Sequence, residues 1–137
     1  MKKILTGWML LTAFITFSQS DQLDFSMAFV TNPAFTAGLD ETSAQGEIFQ
    51  VSVSMNQEEL DSLGTFLLLI YDLPTSFLIF ETHIDREEIL NGIYTHNGQL
   101  VFSFPNLDPD KAYKVILNVQ NMQQAYLPHV EKNFPTN

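Results

Sequence analysis

Apolar residues recur at every second position in several short segments, and this spacing is what most constrains the fold. In residues 47–55, Phe49, Val51, Val53 and Met55 alternate with polar side chains. Successive side chains of a β-strand point to opposite sides of the sheet, so this segment is expected to form a strand with one buried face. Similar segments, separated by Gly, Pro, Asn and Asp, recur along the chain and predict an all-β domain.

These segments and their turn signals predict seven strands in two antiparallel sheets packed as a sandwich. The strands are expected at residues 22–30, 47–55, 65–72, 77–85, 98–104, 113–119 and 125–134. Residues 65–72 are apolar almost throughout, which favours a central strand covered on both faces. Residues 77–85 are expected to begin buried and to leave the core from Glu81 onward. Asn97 and Gly98 are a strong signal for a two-residue hairpin turn.

Short helical turns are expected to interrupt the strands. Asn56 is placed to cap the first turn, with Glu59 at the third position to complete a capping box, and Gly64 is expected to end it. Residues 86–92 predict a second turn of this kind. The last strand contains Pro128, which predicts that this strand lies at a sheet edge or is broken there.

The chain begins with the three-part pattern of a secretory signal peptide. Two lysines precede an apolar run over residues 4–17, and small polar residues follow. This run is shorter than the roughly 18 residues that a membrane-spanning helix needs, which favours cleavage over permanent anchoring. Small residues fit a cut after Ser18 or after Ser20. We therefore expect residues 1–20 to be the signal peptide and residues 21–137 to be one domain, secreted or periplasmic.

The expected mature domain is strongly acidic and contains no cysteine. Of the 6 basic residues two lie in the signal peptide, so four remain against 16 acidic ones, a formal charge of −12. Such a field repels phosphate backbones and anionic lipid, so neither nucleic acid nor a membrane surface is an expected partner. The simplest role of this acidity is to keep an exported protein soluble. Without disulfides, the domain must be held together by burial alone.

Residues 107–119 carry a spacing that is typical of a structural corner. Leu107, Pro109 and Tyr113 lie at steps of two and four, and an alternating strand follows from residue 115. A tyrosine just inside a strand can hydrogen-bond to the backbone of the preceding corner while its ring packs in the core. The spacing therefore predicts a tyrosine corner, stiffened by Pro109.

This pattern resembles the fibronectin type III family, in which a leucine, a proline and a tyrosine at these steps precede an alternating strand. Residues 98–104 resemble the preceding strand of that family, and Tyr71 resembles the tyrosine common in its third strand. The tryptophan of its second strand is missing, and Phe49 is present in that strand instead. A broader immunoglobulin-like sandwich therefore stays open. The resemblance implies a non-catalytic binding or structural module of an exported bacterial protein.

The residues show no pattern for an enzyme or for a cofactor. Cysteine is absent, and no serine lies between glycines as in a nucleophile elbow. The three histidines, His83, His96 and His129, fall on separate segments. No glycine-rich loop opens a helix, as a phosphate-binding site requires. We therefore expect a domain that is not an enzyme and uses no cofactor.

Glu81, His83 and Asp85 form the most distinctive polar cluster. On a strand their alternation would place all three side chains on one face, and imidazole and carboxylate groups are ligands for zinc or copper. A solvated strand face explains the same pattern. This second interpretation is favoured, because no second cluster completes a coordination shell.

A fibronectin-like strand order would place two acidic segments, residues 56–64 and 85–98, at one end of the sandwich together with the turn at residues 120–124. The carboxylates of this acidic end are Glu58, Glu59, Asp61, Asp85, Glu87 and Glu88. Oxygen-rich loops bind calcium, but the helix dipole favours carboxylates at the starts of short helical turns in any case. The acidic end is a candidate protein-binding surface and, as a less favoured alternative, a calcium site.

Tyr94, Tyr126 and Phe134 lie near predicted turns, where exposed rings could stack on a sugar. Burial of these rings over the ends of the core is favoured, because aromatic side chains are usually buried.

Taken together, the residues favour an exported module that binds an unidentified protein partner. It would do so through the acidic end or by accepting an added strand at a sheet edge. One alternative is a carbohydrate-binding accessory protein that uses Tyr94 and Tyr126. The other is a small metal-binding protein that uses Glu81, His83 and Asp85.

Overall fold

The computed structural model describes residues 24–40, 42, 45–126 and 129–135. The predicted signal peptide and Pro128 lie outside the described residues. Within the described residues the structure has eight strands and two short helices. In chain order they are β1 (Asp24–Thr31), β2 (Glu47–Ser54), α1 (Gln57–Ser62), β3 (Leu63–Asp72), β4 (Leu78–Ile84), α2 (Arg86–Leu90), β5 (Thr95–His96), β6 (Gln99–Phe104), β7 (Tyr113–Asn121) and β8 (Val130–Phe134).

The strands form two four-stranded antiparallel sheets, with the orders β1-β2-β6-β5 and β4-β3-β7-β8. This confirms the prediction of a two-sheet sandwich, with eight strands instead of seven. The additional strand is β5, which the Asn97-Gly98 turn pairs with the start of β6. Asn97 and Gly98 have φ values of 51° and 79°, as a two-residue type I′ turn requires.

Alternating apolar residues from both sheets form one core between them. Phe49, Val51 and Val53 of β2 are fully buried, as predicted, and the same cluster includes residues of β3, β6 and β7. Phe66 of β3 meets Phe102 of β6 across the gap, with ring centroids 6.0 Å apart and ring planes 75° apart. Edge-to-face contacts of this kind add to the burial of apolar area.

The start of β4 is exposed, contrary to the prediction that this strand begins buried. Its first apolar residues are exposed: Phe77 by 71%, Leu78 by 46% and Ile79 by 40%. Ile84 is buried on the inner face, whereas Glu81 and His83 are exposed on the outer face. A β-bulge explains the start of the strand, because the register with β3 shifts between Ile70 and Tyr71. The extra residue at the bulge disrupts the alternation of side chains between the two faces, which the apolar run Phe77–Phe80 does not reveal.

Both predicted helical turns are present and both carry capping boxes. In α1 the Asn56 side chain accepts a hydrogen bond from the Glu59 backbone, and the Glu59 carboxylate accepts one from the Asn56 backbone, each at 2.8 Å. The prediction that Gly64 ends this turn is wrong, because Leu63 is the C-cap and Gly64 lies in β3. A Cβ atom at Gly64 would come within 2.5 Å of the Asn121 carbonyl oxygen. Glycine there permits the close approach of β3 and β7.

Tyr113 holds the connection from β6 to β7, which crosses from one sheet to the other. Its hydroxyl donates to the Asp108 carbonyl oxygen at 3.0 Å and accepts from the Asp108 N–H at 2.8 Å. The ring is buried, and burial raises the pKa of the phenol. Leu107 is buried beside it, whereas Pro109 is exposed on the corner. These hydrogen bonds are those of a tyrosine corner.

We expect Tyr113→Phe to lower the free energy of unfolding by about 1–2 kcal/mol, because the ring stays packed while both Asp108 groups lose their partner. Urea unfolding followed by fluorescence measures this change. Tyr126→Phe is the matched control, because Tyr126 is 70% exposed. Equal stability of the Tyr113→Phe variant and the wild-type chain would show that the corner does not depend on the hydroxyl.

Candidate protein-interaction surface

A sandwich of two open sheets has four edge strands, here β1 and β5 in one sheet and β4 and β8 in the other. Unpaired N–H and C=O groups along an edge attract additional strands, so folded proteins shorten, cover or charge their edges. The extent to which each edge strand is shortened, covered or charged therefore indicates where a strand of another chain could pair.

Lys132 of β8 joins the β1 and β8 edges. Its ammonium lies 2.7 Å from the Asp24 carboxylate and donates to the Phe25 carbonyl oxygen at 2.7 Å. The hydrogen bond from Lys132 lowers the pKa of Asp24. Phe134 adds an apolar contact on the same side, with its ring centroid 5.6 Å from that of Phe29. This side of the sandwich is closed by the chain itself.

The connection between β1 and β2 lies against β5 on the other side. Phe35 of this connection stacks on the His96 ring, with centroids 4.5 Å apart. The Gln50 side chain donates to the Phe35 carbonyl oxygen at 2.9 Å. Because β5 has only two residues and this connection packs against it, the β5 edge offers little for another strand to pair with.

The fourth edge, β4, is long and carries exposed apolar side chains. Among the described residues it pairs with β3 alone. Phe77, Leu78 and Ile79, which we call the apolar edge segment, lie where the chain enters this strand and are the exposed residues reported above. An exposed apolar edge is a site either of aggregation or of partner binding.

The turn before β4 fixes the apolar edge segment in its exposed position. The Asp72 carboxylate accepts hydrogen bonds from the Thr75 backbone and hydroxyl, and Ser76 has a φ of 64°. The Asp72 N–H donates to the Phe77 carbonyl oxygen at 2.8 Å, which closes the turn. Phe77 therefore leaves the turn at the rim of the sandwich.

A surface depression of about 360 Å³ adjoins this segment. Phe77 and Ile79 form one wall, and Leu107 and Tyr113 of the tyrosine corner form another part of its lining. The apolar edge segment thus lies beside a partly apolar concavity, which is a geometry suited to receiving a side chain of another protein.

The outer face of β4 is polar where its inner face is apolar. Glu81 and His83 are exposed, and they lie opposite Leu69 and Leu67 of β3. Those two leucines are partly exposed, so the prediction that β3 is covered on both faces is wrong for its outer face. β3 is central in its sheet, as predicted.

Hydrogen bonds join the three segments that were expected at one end of the sandwich. The Arg86 guanidinium of α2 donates to the Leu60 and Leu63 carbonyl oxygens of the α1 region. The Met122 N–H of the turn at residues 120–124 donates to the Ser62 carbonyl oxygen at 3.1 Å. These contacts hold the three segments next to one another, and Glu58, Asp61 and Glu87 of these segments are exposed.

Glu59, Asp85 and Glu88 of the acidic end accept hydrogen bonds in the two capping boxes. Glu59 completes the α1 capping box described above. Asp85 accepts from the Glu88 backbone at 3.0 Å, and Glu88 accepts from the Asp85 backbone at 3.2 Å. These hydrogen bonds account for the positions of these carboxylates in the sequence without a ligand.

The predicted metal ligands do not form a metal-binding group. Glu81 and His83 share the outer face of β4, but Asp85 has left the strand and caps α2. No group of three or more histidine and carboxylate side chains that could hold a metal ion is found in the described parts of the chain.

The predicted sugar-stacking tyrosines lie in different places. Tyr94 is partly buried, with its ring centroid 5.2 Å from that of Phe102, and burial together with the nearby Glu88 raises its pKa. Tyr126 is exposed and forms an isolated bridge with Gln120, ahead of β8, which starts later than predicted. Phe134 packs against the core. The structure therefore does not bring these rings together as a stacking platform.

Comparison of the chain with models of protein families, with curated proteins and with solved structures finds no match. Within the described ranges, neither helix has the length and apolar character needed to cross a membrane.

We expect Lys132→Met to lower the free energy of unfolding by about 1–2 kcal/mol, because a charged hydrogen bond to the Phe25 carbonyl is lost along with the ion pair. Lys114→Met, which removes a lysine lying over the Tyr71 ring, is the control.

The wild type should also exceed Asp24→Asn in stability above pH 3.9, the usual pKa of an unfolded aspartate. Because the folded pKa of Asp24 is lowered, this difference should disappear as the pH falls from 3.9 through that pKa. A difference that persists at the lowest pH would contradict this account.

We expect Asp85→Ala to lower the free energy of unfolding by about 1 kcal/mol through loss of the α2 cap. Glu87→Ala, in the same helical turn but outside the capping box, should change it less. Thermal unfolding with and without a chelator makes the comparison. A cap loses the same stability in both conditions, whereas an effect that vanishes with the chelator would indicate a metal ligand.

Proposed function

We propose that the chain is an exported, non-catalytic module for protein–protein interaction, and that it docks its partner at the β4 edge. The observation that carries this proposal is the apolar edge segment, three consecutive apolar residues exposed on an edge strand that the other described elements leave open. A strand added to such an edge gains main-chain hydrogen bonds, and neighbouring apolar side chains provide specificity.

A fibronectin type III-like or immunoglobulin-like topology is part of the proposal. Two features support it: the sheet that contains β3, β7, β8 and β4 faces one that contains β1, β2 and β6, and the β6–β7 connection carries the tyrosine corner. Export rests on the pattern of residues 1–20. The charge of the mature domain supports a protein partner over nucleic acid or anionic lipid.

The role of the β4 edge is tested by a pull-down with tagged residues 21–137 from the envelope extract of the source organism. The variant Phe77→Ser/Leu78→Thr removes the apolar edge segment at its most exposed positions. Its matched control is Leu90→Ser/Ile93→Thr, which changes two other exposed apolar residues, 52% and 49% accessible.

We expect the wild type and the control to capture the same protein in similar amounts, and the β4 variant to capture at least about tenfold less of it. A further variant, Glu58→Gln/Glu87→Gln, tests the acidic end. If this variant loses the partner while the β4 variant keeps it, docking occurs at the acidic end and the assignment to β4 is wrong. Capture that none of the variants changes would exclude both surfaces.

A further inference from the structure

We infer that the β4 edge pairs with the same edge of a second copy of this chain, with Thr82 on the two-fold axis. This inference rests on the proposed function, since it names an occupant for the docking edge proposed above. It is carried by the order of side chains along β4. Glu81 and His83 lie on the exposed outer face, one on each side of Thr82 in the sequence.

Symmetry restricts the registers that two copies of β4 can adopt. Directly opposite residues of an antiparallel pair lie on the same face of the sheet. A two-fold axis perpendicular to the sheet must therefore pass through a residue and not between two residues, since a shift of one position would oppose inner to outer side chains. The central positions that β4 offers are Phe80, Glu81, Thr82 and His83.

Side-chain complementarity selects Thr82 among these positions. With Thr82 on the axis, Glu81 of each copy lies opposite His83 of the other, where an imidazole N–H can donate to the carboxylate, and this complementary pair occurs twice. An axis at Glu81 would oppose two glutamates, and an axis at His83 would oppose two histidines and leave Glu81 without a complementary partner on the opposite β4. Like charges directly opposite each other destabilise a strand pair. An axis at Phe80 would fall beside the bulge, where pairing is irregular.

The inner face is compatible with the same register. It places Phe80 of one copy opposite Ile84 of the other, and both side chains face the core of their own sandwich. Phe80 packs on Phe104, with centroids 5.5 Å apart, and Ile84 is buried. Apolar side chains would therefore meet across the junction, and two four-stranded sheets would join into one of eight strands. The apolar edge segment of each copy would then lie at the start of α2 in the second copy.

Sedimentation velocity of residues 21–137 over a concentration series tests the dimer. We expect a monomer–dimer equilibrium in the wild type. His83→Glu places glutamates opposite each other twice and should raise the dimer dissociation constant by roughly tenfold or more. The exchanged variant Glu81→His/His83→Glu restores both complementary pairs and should return the constant to near the wild-type value. Recovery in the exchanged variant depends on this register, which a general loss of charge or of folding would not reproduce.

Cross-linking tests the axis itself. The chain has no cysteine, and directly opposite Cα atoms of an antiparallel pair lie about 4.5–5.5 Å apart, within the range of a disulfide. Thr82→Cys should therefore give a covalent dimer under mild oxidation. Ser26→Cys, at an exposed position of the β1 edge, is the matched control and should stay monomeric. Equal cross-linking of the two variants, or none at Thr82, would overturn the inference.

The outcomes separate this inference from the proposed function. A wild-type chain that is monomeric at every concentration, but loses its envelope partner in the Phe77→Ser/Leu78→Thr variant, uses the edge for a different protein. In that case the second copy is excluded and the docking edge stands. A dimer that persists in His83→Glu with no cross-link at Thr82 pairs through another surface and also contradicts the inference.

Discussion

Burial between two facing sheets holds this chain together, because it has no cysteine to cross-link them. The buried faces of β2 and β6 on one side, and of β3 and β7 on the other, supply the central core. Apolar burial is strong but not directional, so the relative placement of the sheets needs specific contacts. Tyr113 supplies one of them, since its hydroxyl binds both backbone groups of Asp108 in a connection that passes between the layers. Lys132 supplies another at the opposite margin.

Two facing open sheets bury an apolar core but leave unpaired backbone groups along their edge strands. The four edge strands differ in how far the rest of the chain covers them. One pair is joined by Lys132 and by rings that include Phe134, and the short β5 is covered by the connection that contains Phe35. The β4 edge has neither arrangement among the described residues and places apolar side chains at its start. An edge of this kind promotes aggregation unless something covers it, which is why the proposed docking site is placed there.

Much of this fold follows from the sequence because it depends on local rules. Alternation predicted β2, the Asn97-Gly98 pair predicted a tight hairpin, and the Asn56 and Glu59 pair predicted a capped turn; each rule involves residues close together in the chain. Tertiary contacts explain the errors. Gly64 was expected to end a helix but accommodates the backbone of Asn121. The apolar edge segment was expected to be buried, since apolar composition does not reveal a bulge.

The candidate site was harder to predict than the fold for the same reason. Carboxylates are candidate ligands by their chemistry, yet Glu59, Asp85 and Glu88 are held by capping boxes that their spacing in the sequence predicts. The exposed segment could have been suspected from one local signal, because Phe77 directly follows the Pro74-Thr75-Ser76 turn. Turn residues position the next side chain at the rim of a sandwich, where an apolar group has little to pack against.

The acidity of the domain bears directly on what can occupy the β4 edge. Two copies that each carry a formal charge of −12 repel one another before they touch, and this repulsion is spread over the whole surface. Main-chain hydrogen bonds along an edge are nearly independent of register, so they cannot by themselves discriminate a correct pairing from a slipped one. Complementary side chains can, since Glu81 lies opposite His83 in one register, whereas the neighbouring registers oppose two glutamates or two histidines. General repulsion combined with one favourable alignment would allow a specific pair to form while suppressing the open-ended association that an exposed apolar edge otherwise promotes.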